Sequence, residues 1–174
     1  MRIISGIHKG RRINTPSNFN SRPTTDKAKE ALFSIIENRY FLQHKNMLDL
    51  FSGTGSISFE FTSRGGEKAM AVDNNIHLIN SINKNAEKFQ LNVAAKKSES
   101  IIFLNNCQDK FNFVFADPPY HYQEYQQLKE AIFAKKIVKK DGLLIIEHGK
   151  ETIFNEKNVE IRKYGAVHFS LFSF

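Results

Sequence analysis

From residue 47 onward the chain alternates short apolar runs with helix-patterned stretches, and that alternation leaves few folds open. The apolar runs fall at 47–51, 69–73, 91–95, 111–116 and 143–147, with helical spacing at 56–64, 76–89, 99–105 and 123–134 between them. Strands joined through helices run parallel in one sheet, and each connection crosses over with a right hand. A run such as Phe111-Asn112-Phe113-Val114-Phe115-Ala116 is too uniformly apolar for a strand with one wet face, so both faces of the sheet must be covered. The tail breaks the alternation. Residues 159–162 and 167–172 are strand-like and flank Lys163-Tyr164-Gly165-Ala166, the pattern of an antiparallel pair on one edge. The fold class expected is therefore α/β, with a mostly parallel central sheet and an antiparallel C-terminal strand pair.

The first residues follow different rules. Residues 2–4 and 11–13 flank Gly6-Ile7-His8-Lys9-Gly10, which predicts a small two-stranded arm. A connecting stretch rich in Ser and Asn follows, and a helix starts near Thr25 or Asp26, both good caps. Its apolar positions Ala28, Ala31, Leu32, Ile35 and Ile36 have the spacing of one buried face. The chain's formal charge is +7, and residues 1–29 hold Arg2, Lys9, Arg11, Arg12, Arg22, Lys27 and Lys29 against Asp26 alone. Nearly all the net charge thus sits on the N-terminal arm, which is what an electrostatic footprint for phosphate looks like. A solvated arm that only aids solubility is the plainer alternative.

At 174 residues one domain is expected, with residues 1–24 as the basic arm and 25–174 as the core. The single Cys107 excludes an internal disulfide, and the N-terminus has no apolar segment of signal-peptide length. No run of about 18 apolar residues exists to cross a membrane. A soluble, cytoplasmic monomer is the expectation.

The ends of the strands carry the chemistry. Strand one runs into Asp49-Leu50-Phe51-Ser52-Gly53-Thr54-Gly55-Ser56, where two glycines permit a sharp turn and close approach of a ligand. Ser58 stands where a dinucleotide loop has its third glycine, and no Lys-Ser/Thr pair follows, so the loop is not built for phosphate. Asp49 before it argues instead for a cationic group. Asp73 ends strand two, where an acid can accept hydrogen bonds from both hydroxyls of a ribose. Strand four stops at Asp117-Pro118-Pro119-Tyr120: a carboxylate, rigid carbonyls that accept but cannot donate, and a ring to stack on a base. That is a cradle for a flat, amine-bearing group. The six histidines show no metal-ligand spacing, and no metal is expected.

Taken together these motifs resemble those of the S-adenosylmethionine-dependent amino-methyltransferases, whose class I fold is Rossmann-like. Arg2-Ile3-Ile4-Ser5-Gly6, Lys9-Gly10-Arg11-Arg12, Arg22-Pro23-Thr24-Thr25-Asp26 and Glu30-Ala31-Leu32-Phe33 narrow the resemblance to the RsmD family of bacterial 16S ribosomal RNA guanine-N2 methyltransferases. Gly142-Leu143-Leu144-Ile145-Ile146-Glu147-His148 and Lys163-Tyr164-Gly165 continue it to the C-terminus. The resemblance implies S-adenosylmethionine as methyl donor, held by Asp49, Gly53, Gly55, Asp73, Asn74 and Ser98, with Ser98 or Glu99 toward the adenine. It implies Asp117, Pro118 and Tyr120 at the reacting amine and Arg2, Lys9, Arg11, Arg12 and Arg22 on RNA. The substrate it implies is guanine-966 of the small-subunit rRNA, methylated within the subunit or an assembly intermediate.

Adenine-N6 methyltransferases of DNA or RNA and protein-glutamine methyltransferases share the central chemistry. The first normally need a further domain to read sequence, and the second usually begin the tetrapeptide with Asn. A non-catalytic RNA-binding module for ribosome assembly has no need of Asp49, Gly53, Gly55, Asp73 and Asp117 together. Elsewhere, His121, Tyr122 and Tyr125 are either the entrance to the site or plain surface. Lys135, Lys136, Lys139 and Lys140 read as cations complementing a helix C-terminus, with RNA contact the alternative.

Overall fold

A computed structural model describes residues 1–16, 25–119 and 121–174. Among these, the elements run in the order α1 (Asp26–Glu37), β1 (Asn46–Leu50), α2 (Ser56–Ser63), β2 (Lys68–Asp73), α3 (Ile76–Phe89), β3 (Val93–Lys97), α4 (Ser100–Asn106), β4 (Phe111–Ala116), α5 (Tyr125–Ala134), β5 (Val138–His148), β6 (Glu160–Tyr164) and β7 (Val167–Ser173). They build one seven-stranded sheet in the order β3-β2-β1-β4-β5-β7-β6. Strands β1 to β5 are parallel, and β7 pairs antiparallel with β5 and with β6. The mostly parallel α/β sheet with an antiparallel C-terminal pair, expected from the alternation, is the one observed. Strand order reverses between β1 and β4, and such a switch point opens a crevice at the carboxyl ends of the strands.

Two apolar layers sandwich the sheet, as strand alternation dictates. Met47, Phe113, Phe115, Leu143, Ile145 and Phe169 face one side with Leu32, Phe33 and Ile36 of α1. Leu48, Leu50, Val114, Leu144, Ile146 and Phe172 face the other with Leu128 and Ile132 of α5.

Strand β3 starts two residues later than its apolar run at 91–95 suggests. Gln90 takes the left-handed conformation at φ 54°, its N–H bonds the Glu87 carbonyl, and the Leu91 N–H bonds the Ala86 carbonyl. Those two bonds close α3 in a Schellman motif, and buried Leu91 is the apolar residue that usually accompanies one. Leu91 is spent on ending a helix rather than starting a strand. The lysine cluster is also corrected. Lys135 caps α5 through its backbone N–H, which bonds the Ala131 carbonyl, and its Nζ donates to the Asn105 carbonyl near the end of α4, whereas Lys139 and Lys140 lie in β5.

The N-terminal segment forms a hairpin with one antiparallel bridge, Arg2 to Arg12, shorter than a two-stranded ribbon. It is docked on the sheet layers, with Ile3 and Ile13 buried in the core beside α1. Glu60 on α2 accepts the Ile4 N–H at 2.7 Å and the Ser5 N–H at 2.9 Å. Ser63 donates to the Ser5 carbonyl and accepts the His8 N–H. Helix α1 begins as its composition demands, with Thr25 Oγ1 accepting the Ala28 N–H at 3.1 Å. Its buried face is broader than the apolar spacing implied. Phe33 and the charged Lys29 are buried on it, while Ala31 is only half-buried.

Candidate active site

Sheet register decides which side chains meet. Asp49 pairs with Ala71 on one side and Phe115 on the other, and Asp73 lies two residues beyond Ala71. Asp117 follows Ala116, and Glu147 follows Ile146, its partner across β4 and β5. Side chains two apart share a face, so Asp49, Asp73, Asp117 and Glu147 all point to the face that carries the hairpin, α1 and α2. All four line one cavity of about 600 Å³ at the carboxyl ends of the parallel strands. That size and position are usual for a small-molecule site.

Asp49 is almost completely buried. Its Oδ2 accepts the Ser58 Oγ–H at 2.6 Å and the Ser58 N–H at 3.1 Å. Burial nonetheless pushes its carboxyl up to about 7. Ser58, which in the sequence reads only as a missing glycine, is thus the group that holds the acid in place. Asp73 braces the glycine loop: Oδ2 accepts the Gly53 N–H at 2.8 Å and Oδ1 the Asn75 N–H at 2.9 Å. Burial raises its carboxyl above the ordinary range as well.

Gly53 and Gly55 both have positive φ, 54° and 75°, which is why the loop needs them. Gly53 lines the cavity, whereas Gly55 is not part of the wall and starts α2 from behind it. A Cβ on Gly55 would meet Ile82 Cγ1 at 3.0 Å and Phe59 Cε2 at 3.2 Å. Phe51, just ahead, also has a positive φ of 60° without being glycine. Such strain costs about 1–3 kcal/mol and tends to collect where a site must be held in shape.

Asn74, Ser98 and Glu99 line the end of the cavity under β2 and β3. The Asn74 amide donates to Glu99 Oε1 at 2.9 Å, and Ser98 Oγ donates to the Glu99 carbonyl. Both Ser98 and Glu99 are therefore present at the position where the sequence leaves two choices. Asp117, Pro118 and Pro119 line the other end, under β4 and β5, with Tyr122 and Tyr125. The Pro119 carbonyl accepts the Tyr122 N–H at 2.8 Å, which closes the turn after the prolines. Tyr122 packs edge-on against Phe51 and Tyr125, both at 5.3 Å, so these tyrosines belong to the site while His121 is exposed. Tyr120 and Arg22 lie outside the described residues. Arg2, Lys9, Arg11 and Arg12 are all on the hairpin surface, away from the cavity wall.

Glu147 stands out in the sequence only as part of a motif. The signal was available: its apolar run ends at an acid just as the run before Asp117 does. Burial, then the charge of Asp117, push its carboxyl up to about 8. Three residues of the cavity wall each carry a buried side-chain atom with no hydrogen-bond partner among the described residues: Ser52 Oγ, the Tyr122 hydroxyl and Glu147 Oε2. Buried polar atoms are seldom left unpaired, so the wall is prepared for a polar ligand.

Comparison with known proteins agrees with this geometry. A family model described as "Conserved hypothetical protein 95" matches residues 1–173. The chain is 33% identical over 156 residues to "Putative rRNA methyltransferase YlbH" of Bacillus subtilis, covering 87% of this chain and 84% of that protein. It is 28% identical over 180 residues to "Ribosomal RNA small subunit methyltransferase D" of Haemophilus influenzae, covering 94% and 91% of the two. The fold of "Putative methyltransferase yhhF" from Escherichia coli superposes with a TM-score of 0.87 at 24% identity, over 99% of this chain and 97% of that one. The chain belongs to the RsmD family and is an S-adenosylmethionine-dependent ribosomal RNA methyltransferase.

Proposed function

We propose that this chain transfers a methyl group from S-adenosylmethionine to the exocyclic N2 of a guanine in 16S ribosomal RNA, within the small subunit or an assembly intermediate. The observation that carries the proposal is the division of one cavity by the switch point. Glycine loop, Asp49 and Asp73 lie on the β1–β2 side, and Asp117-Pro118-Pro119 lies on the β4 side. Small-subunit RNA as the substrate is supported by the name of the Haemophilus relative. The choice of guanine N2 rests on the RsmD resemblance.

The donor set fits a cationic molecule that carries a ribose. Asp49 and the glycine loop hold its methionine portion, and Asp73, with Asn74 beside it, holds the ribose. Ser98 and Glu99 serve the adenine. The sulfonium supplies a good leaving group, so the protein needs no nucleophile of its own. The difficulty lies in the acceptor, whose amine lone pair is delocalised into the ring. Asp117 and the Pro118 carbonyl accept its two N–H bonds, aim the nitrogen and favour a tetrahedral geometry, and Tyr120 stacks on the base. The nitrogen is acidic once methylated, so Asp117 need not be a strong base. Labelled methyl transfer onto free 16S RNA and onto small subunits, followed by nucleoside analysis, tests the proposal. N2-methylguanosine is expected, and N6-methyladenosine would replace this reading with the adenine one.

Asp49 makes cofactor affinity depend on pH. Its carboxyl titrates near 7 in the open cavity, and a bound cation favours the ionised form. A proton must then leave on binding at lower pH, so affinity rises as pH climbs from 5.5 toward about 7 and levels off above it. Calorimetry across that range should show the rise in the wild type and a flatter profile in Asp49→Asn. Equal slopes would remove Asp49 from the cation site.

The hairpin is the proposed RNA-binding surface. Lys9, Arg11 and Arg12 are exposed, and Arg2 is more than half exposed beside Asp26, where a surface pair contributes little. Replacing Arg11 and Arg12 with Ala should weaken RNA binding. It should also reduce the slope of log affinity against log salt by about 0.7–0.9 for each phosphate that the variant no longer neutralises. An unchanged slope would place the RNA elsewhere.

A further inference from the structure

Building on the guanine-N2 reading, we propose that Glu147 reads the target base by accepting its ring N1–H at Oε2, and so selects guanine over purines that carry a lone pair there. Its place in the sheet supports this. Glu147 ends β5 beside Asp117 at the end of β4, on the acceptor side of the cavity and two strands from the glycine loop. Neighbouring strands lie about 4.8 Å apart, so the two carboxyl groups can address adjacent positions on one purine edge. Guanine presents two donors there, the exocyclic amine and N1–H. The amine belongs to Asp117 and the Pro118 carbonyl in the proposed reaction, which leaves N1–H for the next acceptor along the sheet.

Glu147 lines the cavity, and its Oε2 is buried with no partner among the described residues. The adjacent His148 is already committed. Its Nδ1–H donates to the Gly149 carbonyl at 2.8 Å, and its Nε2 accepts from Ser170 Oγ at 2.7 Å. A hydrogen bond from N1–H favours the ionised carboxylate of Glu147, as does the positive sulfonium nearby. A carboxylate at that position opposes a base whose N1 is a lone pair. Above about pH 8, where the carboxyl is ionised even without a partner, such a base leaves a buried charge unpaired, which is how polar sites discriminate most strongly.

The probe is RNA in which the methylated guanine is replaced by 2-aminopurine, which keeps the exocyclic amine but has a lone pair at N1. At about pH 9, where Glu147 is ionised and has no proton to donate to that lone pair, wild-type kcat/KM should fall by about thirtyfold or more on the 2-aminopurine substrate. Glu147→Gln can turn an amide N–H toward that lone pair, so its guanine preference should shrink to below about threefold, with cofactor affinity and melting temperature near wild type. Equal wild-type rates on the two substrates would overturn the proposal, and so would an undiminished preference in a folded Glu147→Gln. The wild-type comparison stands without any variant. Nucleoside analysis of the same reactions separates the two levels. A wild-type product other than N2-methylguanosine removes the parent reading, whereas N2-methylguanosine with no preference removes only the role of Glu147.

Discussion

Asp117→Ala will reduce methyl transfer to background while leaving S-adenosylmethionine affinity within about threefold of wild type. Orientation of a reacting group can contribute about 7–11 kcal/mol to a barrier, and one aimed polar contact adds about 3 kcal/mol, as oxyanion-hole donors do. In the proposed reaction Asp117 supplies part of both, so a fall in kcat of at least about a thousandfold is expected. The proposed cofactor contacts lie on the other side of the switch point, at the ends of β1, β2 and β3, so the substitution is not expected to reach them. The backbone at this position is held independently, because the Asp117 N–H bonds the Leu50 carbonyl at 3.3 Å. Removing the carboxylate also removes the charge that raises Glu147, whose carboxyl should then titrate lower. Single-turnover transfer at saturating RNA measures the chemical step, and calorimetry measures the cofactor. A variant keeping more than a tenth of wild-type turnover, or losing cofactor binding in parallel, would show that Asp117 does not act on the amine.

The fold was legible because parallel strands flanked by helices leave a strong pattern. Strand-end acids stood out against apolar runs for the same reason. Register then does work that linear sequence cannot. It places Asp49, Asp73, Asp117 and Glu147 on one face, although the outermost two are separated by more than half the chain. Misreadings occur where one residue type has two uses. Leu91 is as apolar as a strand residue but closes α3, and Lys139 continues a run of lysines yet sits in β5, reaching Asn112 Oδ1 at 3.3 Å. Ser58 was invisible as a functional residue because its partner, Asp49, lies nine positions earlier and across a turn. Glu147 was missed because an acid after an apolar run becomes informative only when its neighbour strand is known. Lys29 reads in the sequence as one more exposed cation of the arm, and it is the most consequential of these misreadings.

Lys29 and Glu60 are both fully buried, with Nζ 3.3 Å from Oε2. The ammonium also donates to the Arg2 carbonyl at 2.7 Å and to Ser56 Oγ at 3.0 Å. Glu60 accepts from Arg64 Nε at 2.8 Å as well as from the two hairpin N–H groups. One buried pair therefore joins α1, α2 and the hairpin. Removing one partner of such a pair costs about 3–5 kcal/mol, because the other charge remains buried without compensation. For a chain of this size each kcal/mol shifts the melting temperature by about 2–4 °C, so a fall of about 6–20 °C is expected. Glu60→Ala should lie at the severe end, since it strands the ammonium and two backbone donors together. Lys29→Met should be milder, because Glu60 keeps Arg64 and both N–H groups. In a double-mutant cycle Lys29→Met should cost less in the Glu60→Ala background than in the wild type, the sign of a direct coupling. The consequence reaches the site, because Ser56 and Thr25 line the cavity and Lys29 holds the first of them. Folded Lys29→Met should accordingly bind S-adenosylmethionine less tightly and show weaker RNA binding at low salt. Strictly additive melting shifts in the cycle would show that Lys29 and Glu60 are not directly coupled, and cofactor binding unaffected in Lys29→Met would show that the buried pair anchors the hairpin without shaping the proposed cofactor pocket.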